Sequence, residues 1–211
     1  MDVHPPSEPV HNWRDALTHL AIMTVGLFIA LMLEGLVEYG HHRSLVREAR
    51  EDIRQELQQN HDVLQRNLAA VDKESELANK GMDAMRYMRL HPDAHGQSIR
   101  FQWNISELHD AAWRTARDSG ALGFMPLKEV QADADVYGLQ DAVSEQGLRL
   151  MTKQAELLAP VLAQEAKFDK IPVPEYDEML RSTAVNILDL LTLKQLMQGL
   201  DQTYIEALKN K

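Results

Sequence analysis

A run of 18 residues without a formal charge, Ala16 to Leu33, constrains this chain more than any other feature. Nine of these residues are Leu, Ile, Val or Phe, which together contribute roughly −3 to −5 kcal/mol of insertion free energy. As an α-helix the run is ~27 Å long, close to the ~30 Å hydrocarbon thickness of a bilayer. Trp13 and Tyr39 flank it, as interfacial aromatic residues do. The run therefore predicts a transmembrane helix within residues 16–39.

Three other interpretations compete with a spanning helix. A cleaved signal peptide has a basic start and a shorter apolar core, whereas Arg14 is the one Lys or Arg ahead of this run. An interfacial helix needs a charged face, which the run lacks. A helix buried in a soluble core rarely lacks charge on every face. We favour the spanning helix, with a signal peptide and a buried core helix as alternatives.

The distribution of arginine around the run predicts the side on which the rest of the chain lies. Arg14 precedes the run, and four arginines follow it at Arg43, Arg47, Arg50 and Arg54. Lys and Arg near the ends of a span stay preferentially on the cytoplasmic side. The pattern favours a cytoplasmic C-terminal domain and a short translocated tail.

Small residues four positions apart lie on one face of the predicted span. Gly26 and Ala30 form a small-xxx-small pair, which lets two helices approach closely, and Glu34 follows one turn later on the same face. The pattern is common, so incidental small residues are the alternative. Gly26, Ala30 and Glu34 are therefore the candidate transmembrane interface.

Composition favours helices and excludes several classes of function. Aromatic residues make up 6% of the 211 residues, so the side chains typical of strands are scarce. The net charge of −10 lacks the basic footprint that nucleic-acid binding requires. Because the chain has no cysteine, disulfides, thiolate metal sites and cysteine catalysis are excluded.

A polar helix follows the span, because residues 41–80 contain neither Pro nor Gly. Its apolar residues recur at helical spacing at Val46, Ile53, Leu57, Leu64 and Val71. Written as a heptad seam, the intervening core positions are Arg50, Asn60 and Asn67. Those polar positions argue against a pure coiled coil. They suit a stalk helix that packs in a bundle, or a seam that sets the register of the helices.

Two shorter segments come next. Residues 91–98 contain Pro, Asp and Gly and predict a loop, while residues 99–105 alternate apolar and polar side chains in the manner of a strand. We interpret the alternating stretch as an extended segment packed across helices, or a strand paired between subunits. Ser106 is the expected N-cap of a helix that ends near Gly120 in a left-handed cap.

Two long helices are predicted to complete the chain. The first covers residues 126–166, where Pro160 is expected to kink or divide it. The second runs from about Pro174 to Lys209, and its apolar side is expected to carry Leu180, Ala184, Ile187, Leu191 and Leu200.

The fold class predicted from these elements is all-α: one N-terminal transmembrane helix continuing into a stalk and an antiparallel helical bundle. The expected organisation is a short polar tail (1–15), the transmembrane helix (16–39), the stalk helix (40–90) and a bundle that packs on the stalk (91–211).

Two stretches carry a resemblance to a known group. Residues 25–39, VGLFIALMLEGLVEY, followed by HHRSLVREAREDIRQEL, resemble the start of a group of uncharacterised bacterial single-pass membrane proteins. Residues 112–122, AWRTARDSGAL, with Val130-Gln and 137–140, are similar to that group's central region. The resemblance covers about a third of the chain and implies a helical domain anchored in a bacterial inner membrane, without implying an activity. Members often carry a basic N-terminal tail, which would place the domain in the periplasm.

Two pairs of possible metal ligands are present in the sequence, and neither leads to a predicted site. Glu38 and His41 have the i, i+3 spacing of a helical carboxylate–histidine ligand pair, but a di-metal bundle needs a second such pair and two further inward Glu on facing helices. His91 and His95 have no evident third ligand. We therefore expect no metal, cofactor or catalytic residue.

The densest group of unusual side chains is Trp113, Arg114, Arg117 and Asp118, the candidate ligand or partner contact. Arg114 and Asp118 are four apart and are expected to pair on one helix face. Arg117 beside them is suited to an anion or a carboxylate. The alternative is a tryptophan anchored in the bundle with surface ion pairs around it.

The function predicted from these features is binding rather than catalysis. We expect a membrane-anchored helical protein that acts by protein–protein interaction or self-assembly, as a scaffold or accessory subunit. Its expected partners are membrane lipid and either further copies or another membrane protein. The alternative is a ligand-sensing bundle that signals through a separate partner, with its pocket near Trp113 and Arg117.

Overall fold

The computed structural model describes residues 13–91, 104–163 and 171–209. Four α-helices cover most of them: α1 Trp13–Leu90, α2 Ala111–Asp118, α3 Leu127–Ala163 and α4 Val173–Lys209. A 3₁₀ turn, Ala121–Phe124, lies between α2 and α3, and no described residue is in a strand. The all-α prediction is confirmed, whereas His95 and residues 99–103 of the alternating segment lie outside the described residues.

The chain divides into two compact units, Met1–Glu48 and Ala49–Lys211. In the described part of the first unit, α1 carries an 18-residue window of mean hydropathy 2.3, of which none is buried. A helix from a soluble core would be buried among its neighbours. This part of α1 is therefore a candidate membrane span by length and composition, and it is not a core helix of the described fold.

The second unit is built on α1 from Ala49 onward, α3 and α4, and each of them buries one side. Buried positions recur at alternating intervals of three and four along all three helices. That spacing gives a continuous seam of period 3.5, as in coiled coils. On α1 the predicted positions Ile53, Leu57, Leu64 and Val71 are 0% exposed. Each such side chain contributes about 1.5–3 kcal/mol by leaving water.

Hydrogen bonds between the helices fix their relative directions. Four side-chain pairs join α1 to α3 at sequence separations of 79, 81, 80 and 80: Arg50–Glu129, Glu56–Tyr137, Asn60–Gln140 and Glu74–Gln154. A constant separation means that the two helices are parallel. From α1 to α4 the separation falls from 140 at His61–Asp201 to 122 at Asp72–Lys194, so α4 is antiparallel to α1. By the same criterion α4 is antiparallel to α3.

Between α1 and α3 the chain runs back along α1. The first described part of this return segment is not helical. Residues 104–110, here called the strap, have no helical hydrogen bonding, and α2 begins only at Ala111 with Asp110 as its N-cap residue. The predicted helix start at Ser106 is therefore wrong. The predicted left-handed residue is confirmed, because Gly120 has φ 78° two residues after α2 ends.

Three details of the long helices differ from the predictions. Arg50 does not lie in the seam, because Ala49 is buried there and Arg50 is exposed and bound to Glu129. The helix α3 continues past Pro160 to Ala163 without being divided.

The face predicted for α4 is also wrong in part. Leu200 is buried as expected, whereas Ala184 and Leu191 are exposed. The buried seam of α4 includes Thr183 and Asn186, which are 1% and 2% exposed. A search for apolar residues alone passes over these two polar members and rotates the predicted face.

Candidate functional site

Asn67 and Asn60 on α1 hold the strap by pairing with its backbone. Asn67 donates from Nδ2 to the carbonyl of Ser106 at 2.7 Å and accepts the Ser106 N–H at 2.8 Å. Asn60 repeats the arrangement with His109, at 2.6 Å and 2.9 Å. Each amide thus takes the place of the peptide group of a neighbouring strand. It satisfies backbone groups of the strap that have no helix or sheet of their own.

Gln140 and Tyr204 extend the Asn60 contact into a buried layer that joins all three long helices and the strap. Gln140 donates from Nε2 to the carbonyl of His109 at 2.8 Å. Its Oε1 accepts from the Tyr204 hydroxyl at 2.7 Å and from Asn60 Nδ2 at 3.1 Å. Asn60 and Tyr204 are 0% exposed and Gln140 is 2% exposed. Burial, followed by the charge of Glu56, raises the pKa of Tyr204, which keeps the hydroxyl protonated as a donor.

Glu56 lies one turn before Asn60 and secures α2. Its two carboxylate oxygens accept from the Tyr137 hydroxyl at 2.7 Å and from the backbone N–H of Ala112 at 2.9 Å. Burial and the Glu56 hydrogen bond raise the pKa of Tyr137. The carboxylate therefore serves as a double acceptor that connects α1, α2 and α3.

Trp113 packs against the same tyrosine. The rings of Trp113 and Tyr137 are stacked with centroids 5.2 Å apart and planes inclined by 15°. The indole is half-buried, so one face of α2 rests on α3 while the other faces water. This contact corresponds to the anchoring alternative considered for Trp113.

The other three members of the predicted cluster lie on the surface. Arg114 pairs with Asp110 at 3.1 Å and not with Asp118, while Arg117 pairs with Asp118 at 3.1 Å. Side chains on a helix lean toward its N-terminus, which favours the partner one turn earlier. The structure thus brings Arg117 and Asp118 together but separates Arg114 from Asp118. Whether these residues contact a ligand or partner stays a prediction.

The predicted transmembrane residues Gly26, Ala30 and Glu34 are all exposed on the first unit. A Cβ atom added to Gly26 would meet no atom within 4 Å. The face is therefore open to another molecule. Near its end Glu38 lies 3.9 Å from His42, one residue beyond the His41 considered at the sequence level.

Over residues 13–91, 104–163 and 171–209, the structure has no group of three or more His, Asp or Glu side chains placed to hold an ion.

Two surface grooves of the second unit lie beside α3. One of about 390 Å³ lies between the strap and α3 and is lined by Leu108, Val143, Leu148 and Met151, among others. Another, of about 610 Å³, lies between the end of α3 and the start of α4, beside Lys153 and Met179. Both are open clefts.

Part of this site was predictable from the sequence. Asn60 and Asn67 were predicted as polar positions in an apolar seam, but their contact with the strap was not. Glu56, Gln140 and Tyr204 were not predicted. The available signal was that Gln140 and Tyr204 occupy seam positions of their own helices, where a polar group requires a partner.

Comparison of the chain with protein-family models, with curated proteins and with solved structures found no match in any of the three.

Proposed function

We propose that this chain is a single-pass protein of the bacterial inner membrane whose helical bundle acts by binding other proteins or further copies of itself, as a scaffold or accessory subunit. The observation that carries the proposal is the apolar window of α1, which is long enough to span a bilayer and has none of its residues buried in the described structure. In water that surface would be unstable, because exposed apolar area of this size requires a partner or lipid.

The core chemistry supports binding rather than catalysis. Glu56, Asn60 and Gln140 use their hydrogen-bonding groups on one another's helices and on the strap. A polar layer of this kind fixes the register of packed helices. A bundle held in one register presents constant outer faces, which suits a scaffold.

The arginines after the span support a cytoplasmic location of the bundle. Four exposed arginines follow the apolar run, Arg43, Arg47, Arg50 and Arg54, while Arg14 precedes it. Retaining four arginines on the cytoplasmic side is favoured over retaining one. The acidic residues among them carry little weight in this preference.

Membrane fractionation of the full-length chain tests the proposal. After lysis and ultracentrifugation we expect the protein in the pellet, resistant to a high-salt wash and released by detergent. A triple variant in which Asp replaces Ile22, Val25 and Ile29 should move to the supernatant, because each charge near the middle of a span costs about 2.5–3.5 kcal/mol. A wild-type chain that stays in the supernatant without detergent would refute the anchor.

Sidedness requires a separate measurement. We expect a cytoplasm-dependent fluorescent reporter fused after the last residue to be active, and a periplasm-dependent phosphatase fused there to be inactive. The opposite pair of results would place the bundle in the periplasm and would leave the anchor itself intact.

A further inference from the structure

The outer face of α4 is uncharged over five turns. Between residues 182 and 203, each exposed position of this helix holds an apolar, small or amide-bearing residue. We call this surface the α4 outer face; its members are Ala184, Val185, Leu188, Leu191, Thr192, Gln195, Gln198, Gly199 and Gln202. Leu188 is 64% exposed, and Val185 and Leu191 are each 49% exposed.

The charged residues within this stretch of α4 all point to neighbouring helices. Asp189 accepts from Lys153 on α3 at 2.5 Å. Lys194 donates to Asp72 on α1 at 2.5 Å, and Asp201 lies 2.9 Å from the His61 imidazole. The charges therefore flank the core seam, and the opposite side of the helix is left without them.

The other two long helices do not share this property. The exposed positions of α3 include Lys128, Asp135, Asp141, Glu145, Arg149, Lys153 and Glu156. Exposed charges recur along α1 in the second unit in the same way. Since 26% of the chain is charged, it is unusual for a helix of the second unit that every exposed position over about 27 Å is uncharged.

The face also has the spacing of a second coiled-coil seam. Six positions of the face follow one another at alternating intervals of four and three, which is the spacing of a helix face that packs in a coiled coil. They are residues 184, 188, 191, 195, 198 and 202. Their side chains are Ala, Leu, Leu, Gln, Gln and Gln, so one half is apolar and the other carries amides.

We propose that the α4 outer face binds the same face of a second copy of this chain, in parallel and in register; the inference rests on the self-assembly proposed above. Identical faces meet without like-charge repulsion only when the face carries no net charge, as here. Parallel alignment places Leu188 on Leu188 and Gln195 on Gln195, where two amides can hydrogen-bond. Antiparallel alignment would bury Leu188 against Gln198 and Leu191 against Gln195.

Disulfide crosslinking of the full-length chain in lipid nanodiscs tests the contact directly, because the natural sequence has no cysteine. Leu191→Cys and Gln195→Cys should each form covalent dimers on mild oxidation. Glu145→Cys, on the exposed face of α3, should give at least a ten-fold lower yield of covalent dimer. Crosslinking only in a mixture of Leu191→Cys and Gln195→Cys, and in neither alone, would overturn the parallel arrangement.

Two matched double substitutions to Glu test whether the α4 outer face itself forms the contact between the two copies. In the Gln195→Cys background, Leu188→Glu with Leu191→Glu should reduce dimer yield at least ten-fold. Leu148→Glu with Met151→Glu should leave it unchanged, since Leu148 and Met151 on α3 are 65% and 53% exposed and closely match the α4 pair. All four side chains are surface residues, and circular dichroism verifies that both variants stay folded.

Failure of this inference is distinguishable from failure of the proposed function. If wild-type protein sediments with membranes but neither Leu191→Cys nor Gln195→Cys crosslinks, the α4 contact is refuted and the anchor stands. Unchanged crosslinking after the two Leu→Glu substitutions would likewise refute it. If the wild-type protein does not sediment with membranes, the proposed anchor is refuted, and this result by itself does not test the α4 contact.

Discussion

Asn67 on α1 binds both the N–H and the carbonyl of Ser106, at 2.8 Å and 2.7 Å, although 39 residues separate the two along the chain. The side chain is 1% exposed, so both hydrogen bonds are shielded from water. An amide is the one neutral side chain that offers a donor and an acceptor in the geometry of a peptide group. The pairing therefore determines where the strap lies on α1.

Substituting Asn67 should destabilise the bundle strongly. We expect Asn67→Ala to lower the free energy of unfolding by about 1–3 kcal/mol, because the strap loses the two hydrogen bonds that attach Ser106 to α1. Thermal unfolding in detergent, followed by circular dichroism, measures the change. Asn79→Ala is the control, since the exposed Asn79 amide donates to the Ser75 carbonyl in its own helix; a similar loss there would contradict the explanation.

The buried tyrosines predict a loss of stability in alkali. Burial raises the pKa of Tyr137 and Tyr204 above the usual tyrosine value of about 10. Their contribution is complete below a pH of about 10, and it falls at higher pH because the unfolded chain then ionises while the folded hydroxyls stay protonated. Melting temperature should decline from pH 9 to 11.5. Tyr204→Phe should flatten the decline; an equally steep decline in that variant would exclude this cause.

Within the predicted cluster, Trp113 should be necessary for the stability of the fold, whereas Arg114 and Arg117 should be dispensable for it. Trp113→Ala should cost about 2–4 kcal/mol of unfolding free energy, because it removes the ring stacked on Tyr137. Arg114→Ala and Arg117→Ala should change stability by about 0.5 kcal/mol or less, since exposed ion pairs contribute little. Chemical denaturation distinguishes the classes, and a large loss with Arg117→Ala would contradict the surface assignment.

Asn186 offers a site where substitution should stabilise the fold. Its side chain is 2% exposed, and neither amide atom has a hydrogen-bond partner among the described residues. Asn186→Leu replaces two buried polar atoms by methyl groups on a side chain with the same branching, so we expect the unfolding free energy to rise by about 1–3 kcal/mol. Thermal denaturation tests this, with Asn186→Ala as the control that leaves a cavity. A lower melting temperature for Asn186→Leu would show that the amide has a necessary partner.

The small-residue face of the span should contribute to association within the membrane. Gly26→Ile with Ala30→Ile should weaken self-association, because bulky side chains prevent close approach of two helices. Energy transfer between labelled copies in vesicles measures the effect. Ala21→Ile is the control, since residue 21 lies about 140° away around the helix from Gly26. Equal losses in the two variants would indicate a general effect of bulk.

The long-range structure depends on contacts that no local pattern encodes. Seam residues such as Leu57 and Leu64 were predictable, because periodicity reports which face of a helix is buried. The helix start at Ser106 was predicted wrongly, because Asn67, far away in sequence, supplies the partners that a helix would otherwise provide. The face of α4 was predicted in part, because the buried seam includes Thr183 and Asn186.

The sequence by itself determined that the chain is helical and that a charge-free run near its start is long enough to cross a bilayer, since both follow from local composition and spacing. Only the tertiary structure decided that α3 lies parallel to α1, that Glu56 and Asn60 hold the return segment, and that the outer face of α4 carries no charge. Those outcomes depend on which side chains meet across helices, and hydrogen-bond geometry between residues some 80 positions apart is fixed only after the helices pack.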